Sequence, residues 1–102
     1  MDKLLKLAKL SVGVCETSTI KDEEIKLCIR SGIEDLKRQG ISADLNKSLI
    51  VQAIVMYVKA NFGNVDLKEK ENSAKIYNSL CNKLSLSEDY KEKNVWEHYL
   101  VI

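Results

Sequence analysis

The sequence predicts an all-α fold: a small bundle of three long helices plus a short N-terminal helix, with an extended C-terminal tail. Three observations predict it. Apolar residues recur at three- and four-residue steps in four separate stretches, the period of a helix face. There is no proline and there are only four glycines, which suits long helices joined by short turns. No Asn-Gly or Asp-Gly turn and no alternating strand pattern interrupts these stretches. The length, 102 residues, predicts one domain, divided as a helical domain over residues 1–90 and a tail over residues 91–102.

Residues 2–11 read as the short helix. Leu4, Leu7 and Ala8 share a face, Leu5 flanks it, and Lys3, Lys6 and Lys9 are expected to face water. A helix this short needs docking to persist, and Gly13 ends it. Residues 19–39 carry a clean stripe of Ile25, Cys28, Ile29, Gly32, Ile33 and Leu36. Ser18 or Thr19 is the expected cap, and Asp22, Glu23 and Glu24 suit the positive end of the helix dipole. Asp22–Lys26 and Glu34–Arg38 are expected four-residue ion pairs. Gly32 lies on the stripe and marks a close approach of another helix, at a cost of about 1 kcal/mol relative to alanine. Gly40 ends this helix.

Residues 46–62, NKSLIVQAIVMYVKANF, are apolar around most of their circumference, with Ser48, Gln52 and Lys59 as a narrow polar stripe. Such a helix belongs in the middle of a domain, and it is too short and interrupted to span a bilayer. Asp44 or Asn46 is the expected cap, and Gly63 the expected left-handed terminator. Asp66-x-x-Glu69 then opens a capping box, and the following helix is expected to bury Ile76, Tyr77, Leu80, Cys81 and Leu84, with Glu71–Lys75 paired on its surface. Residues 85–90 taper off.

Chemistry is sparse. Sixteen basic against fifteen acidic residues give a net charge of +1, which argues against a protein that coats phosphate backbones. Cys15, Cys28 and Cys81 are an odd number without CxxC spacing, expected as reduced thiols; the lysine-punctuated N-terminus is not a signal peptide. Asp22–Glu24 and Glu69–Glu71 read as helix-start charges and not as an acid–base pair. His98 has no neighbours for a triad or a metal site. The sequence therefore predicts no catalytic residues, no cofactor, no metal and no membrane contact. The alternative function is a small helical DNA-binding regulator built on the two helices within residues 19–62. The second of these lacks the polar face that reads base edges.

The tail segment VWEHYLVI holds the only Trp, and aromatic residues are favoured interface anchors. Two placements are open: on its own bundle, or on a neighbour. Leu27, Val51 and Val55 exceed what one core face requires, so the candidate interface residues are Leu27, Val51, Val55, Trp96, Tyr99, Leu100, Val101 and Ile102.

Residues 49–63, LIVQAIVMYVKANFG, resemble the central helix of the small head–tail connector proteins of tailed phages, often labelled DNA-packaging proteins. YNSL (77–80) and LSLSEDY (84–90) are similar to that family's fourth-helix ending, and KLSVGV followed by DEEIKLCIRSGIEDL to its opening. The resemblance covers residues 2–90 in order and rests on packing residues. It implies a structural protein in the virion at the head–tail junction, made in the cytoplasm of a bacterial host. Its copies would form a homo-oligomeric ring, a dodecamer on the portal protein, that docks a downstream head-completion or tail protein. Residues 91–102 lie beyond the shared pattern.

Overall fold

The computed structural model describes residues 2–63 and 65–91. Four α-helices follow one another: α1 (Asp2–Ser11), α2 (Asp22–Arg38), α3 (Ser48–Asn61) and α4 (Leu67–Leu86). A 3₁₀ turn at Glu88–Tyr90 closes the described chain, and no strand forms among the described residues. Helix α3 packs against α1, α2 and α4. The expectation of an all-helical bundle around residues 46–62 holds. The buried line of α3 is Ile50, Ala53, Ile54 and Val58, which meets Leu4 and Ala8 of α1, Ile25, Ile29 and Leu36 of α2, and Tyr77, Cys81 and Leu84 of α4 in one core.

Two helices end as the glycines predict. At α1 the Val14 amide reaches the Lys9 carbonyl (2.9 Å) and the Gly13 amide the Leu10 carbonyl (3.3 Å), with Gly13 at φ +75°. At α2 the Ile41 amide reaches the Leu36 carbonyl (3.0 Å) and the Gly40 amide the Lys37 carbonyl (2.9 Å), with Gly40 at φ +79°. Both are Schellman closures, in which a left-handed residue lets the chain satisfy the last carbonyls. Ile41 and Leu36 are both fully buried, so the apolar contact that accompanies this closure is part of the core. Gly63, expected to act in the same way, does not adopt a left-handed φ. Helix α3 instead ends when Phe62 turns extended (φ −73°, ψ 131°) and drives its ring wholly into the core. Burial of a phenylalanine thus decides the exit path.

The other departures share a cause, which is that partners in space outcompete partners in sequence. Helix α2 starts at Asp22 with no side-chain cap; Ser18 and Thr19 belong to the preceding loop. The expected pairs Asp22–Lys26 and Glu34–Arg38 give way to Lys26–Glu23 and Arg38–Asp35. The Asp44 carboxylate accepts the Asn46 amide (3.0 Å) and turns the link, but α3 itself starts at Ser48 uncapped by a side chain. Asp66 does cap α4, accepting the Lys68 amide (3.2 Å). Ile76 is 46% exposed and Leu49 41% exposed: α4 buries the line Ser73, Tyr77, Cys81 and Leu84, and a surface helix of the bundle buries only one face.

Lys9 is the largest correction. Expected in water, it is 4% exposed. Its ammonium donates to the carbonyls of Glu16 (2.9 Å) and Ser18 (2.5 Å) and pairs with Asp22 Oδ1 (2.8 Å). A three-residue repeat on a 3.6-residue helix drifts by about 60° per step. Lys9 has therefore rotated about 120° from Lys3, into the side that meets α2.

Candidate interaction surface

Two of the exposed apolar side chains, Leu7 and Leu45, share one groove where α1 meets the start of α3. Leu4 of α1 is buried, but Leu7, one turn on, is 39% exposed. Across from it Leu45, in the link before α3, is 41% exposed and Val51 is half-buried. These four line a groove of about 360 Å³ whose rim carries Lys3, Asn46 and Ser48. That volume is at the small end of ligand-sized cavities, room for one aromatic side chain and a neighbour.

The segment after α4 is tied down beside this region. The Ser42 amide donates to the Tyr90 carbonyl (2.7 Å), and Ile41 pairs with Lys91 in an isolated antiparallel bridge. Lys47, between two rim residues, donates to the Asp89 carbonyl (2.5 Å) and lies 4.5 Å from the Tyr90 ring centroid. A cation over an aromatic face adds to this anchorage.

Of the residues nominated from the sequence, Leu27 is on the outer side of α2, 59% exposed. Val51 and Val55 are half-buried against the core, Val51 as a groove wall. Leu27 and Val51 lie on different elements, and the structure does not join them into one patch. Trp96, Tyr99, Leu100, Val101 and Ile102 lie outside the described residues, as does His98. Leu7 and Leu45 were missed by sequence reasoning. Periodicity places Leu7 on the core face of α1 and Leu45 in a linker, and only their juxtaposition across the groove marks them.

The titratable groups support structural work. Burial alone would push the Asp35 carboxyl up. Hydrogen bonds from Tyr77 (2.5 Å), Arg38 and Gln39 (2.9 Å) outweigh it and hold Asp35 below the usual carboxylate range. Tyr77 is pushed far up, by burial first and by its bond to Asp35 second. Burial raises the Cys28 and Cys81 thiols. Cys15 is exposed, and its thiol is lowered chiefly by the Thr17 hydroxyl 3.2 Å away. No group of three or more acidic, histidine or cysteine residues capable of holding a metal occurs among the described residues, and no helix there is long and apolar enough to cross a membrane.

The residues that build this bundle, from Leu4 through Lys91, are those matched by a family model described as phage connector protein, over residues 4–91. The chain belongs to the phage connector family. The match stops where the chain has paired with Ile41, so it covers α1 from Leu4 onward, the other three helices and the closing 3₁₀ turn. Comparison with curated proteins and with solved structures returns no match. Family membership makes the chain a structural connector protein of a phage and agrees with the resemblance that residues 49–63 and 84–90 carry.

Proposed function

We propose that this connector is a head–tail adaptor: copies assemble as a ring beneath the portal, complete the head after DNA is packaged, and present a platform to the next head-completion or tail protein. The observation that carries this reading is the family match across the whole bundle. The open apolar groove between α1 and α3 and the exposed Leu27 supply surface for neighbours. A net charge of +1 suits a wall along which DNA must pass, since strong phosphate contacts would hold the duplex back. The regulator alternative fares worse, because its would-be recognition helix, α3, is packed on by three other helices. In this reading residues 1–90 form the ring wall, and the tail over residues 91–102, anchored at Lys91 on its own Ile41, contacts a neighbour beyond that anchor.

The test is the mass of the purified full-length chain by light scattering, alone and after mixing with portal rings. A discrete ring, formed alone or on the portal, supports the adaptor. A chain that stays monomeric, leaves the portal bare and binds duplex with a steep salt dependence would point to the regulator.

A further inference from the structure

We infer that the groove between α1 and α3 is the acceptor for the C-terminal segment of a second copy, with Trp96 as the inserted anchor; this rests on the ring reading above. The argument starts from where the described chain ends. Antiparallel pairing sets Tyr90 against Ser42 and Lys91 against Ile41. The chain therefore leaves in the direction of Gly40, away from Leu45 and from its own groove. Eleven residues follow Lys91. Extended, they reach roughly 36 Å in all, and Trp96, the fifth of them, stands up to roughly 17 Å from Lys91. That brings Trp96 to the surface of a copy packed directly alongside. The segment VWEHYLVI is apolar and aromatic, and the groove walls are leucine and valine. A cavity of about 360 Å³ takes one large ring with a flanking side chain. Glu97, next to Trp96, is complementary to Lys3 on the rim. Donor and acceptor are different surfaces, so the contact is head-to-tail and propagates from copy to copy, closing into a ring when the rotation permits.

Complementation between two full-domain variants tests the contact itself. Leu45→Glu spoils the groove and leaves the segment intact; a chain stopped after Lys91 keeps the groove and lacks the segment. Leu7→Glu serves as an independent groove variant, and circular dichroism with thermal melting confirms that each is folded. The expected result is that every variant alone is monomeric, while an equimolar mixture of either groove variant with the shortened chain gives a discrete one-to-one complex. Trp96→Ala in the groove variant is expected to abolish that complex. No complex in the mixture overturns the inference, whether the segment folds back on its own chain or binds elsewhere. If the unmodified chain still forms rings, alone or on portal, the adaptor reading survives; if it does neither, both fail.

Discussion

Gly32 offers a sharp test of the packing argument, because two known effects act there with opposite sign. Replacing glycine by alanine inside a helix gains about 1 kcal/mol from backbone propensity. At Gly32 the new Cβ would stand 3.1 Å from Tyr57 Cδ1 and 3.2 Å from Cγ, tight enough that the ring must give by a few tenths of an ångström. The sign depends on whether Tyr57 can move. Its ring meets Tyr77 edge-on, with centroids 5.2 Å apart and planes at 68°. Tyr77 is in turn held by Asp35, which Arg38 and Gln39 also grip. Tyr57 is half-buried, and a shift toward Tyr77 disturbs that network; overpacking of this kind costs about 1–3 kcal/mol. Gly32→Ala is therefore expected to lose about 1 kcal/mol net, a drop in Tm of about 4–8 °C for a domain near this size. Urea unfolding followed by circular dichroism measures it. In a Tyr57→Ala background the clash is gone and the propensity remains, so the same substitution should stabilise by about 1 kcal/mol. A Gly32→Ala protein more stable than the parent, or a cycle showing no coupling, would refute the reasoning.

Other substitutions test other parts of the bundle. Lys9→Met is expected to cost about 3 kcal/mol in chemical denaturation, because Asp22 and two loop carbonyls lose the buried ammonium between them. Asp35 has a depressed pKa, so its contribution is present above the ordinary carboxylate value of 3.8 and is lost as pH falls through the lower folded value. Asp35→Asn should therefore be less stable than the parent at neutral pH and converge with it in acid melts. Tyr77 shifts the other way: its contribution is complete below pH 10.0 and fades as pH rises beyond it. The parent should lose stability in alkaline melts, and Tyr77→Phe should show a smaller loss, the remainder coming from Tyr57, whose phenol burial also raises. Leu27→Lys, at an exposed position, should change stability by no more than about 0.5 kcal/mol while reducing the copies retained on portal rings in a pull-down.

How much of the bundle was legible depends on the range over which each feature is decided. Helix periodicity and the glycine closures at Gly13 and Gly40 are settled by a few neighbouring residues, and all of them were legible. Gly32 was legible too, since a glycine on an apolar stripe has few uses other than close approach. Lys9 was not, because its environment depends on Asp22 arriving from another helix. Nor was the end of α3. A glycine after an apolar helix is an ordinary terminator, and only the depth available to the Phe62 ring explains why Gly63 is not used as one.

The interaction surface was less legible for the same reason. A catalytic site concentrates unusual residue types and can announce itself in sequence, whereas an adaptor works through leucines and valines indistinguishable from core. Leu4 and Leu7 sit one turn apart on the same short helix, yet one is buried and the other opens onto the groove. What separates them is the position of Leu45 and Val51 opposite, which no local pattern encodes. The family match spans the residues that set the bundle. It stops at residue 91, where the chain turns from its own core toward what we propose is its neighbour. In such a protein the contacts that specify assembly are free to differ from one connector to the next, because each needs to match only its own copies and its own portal.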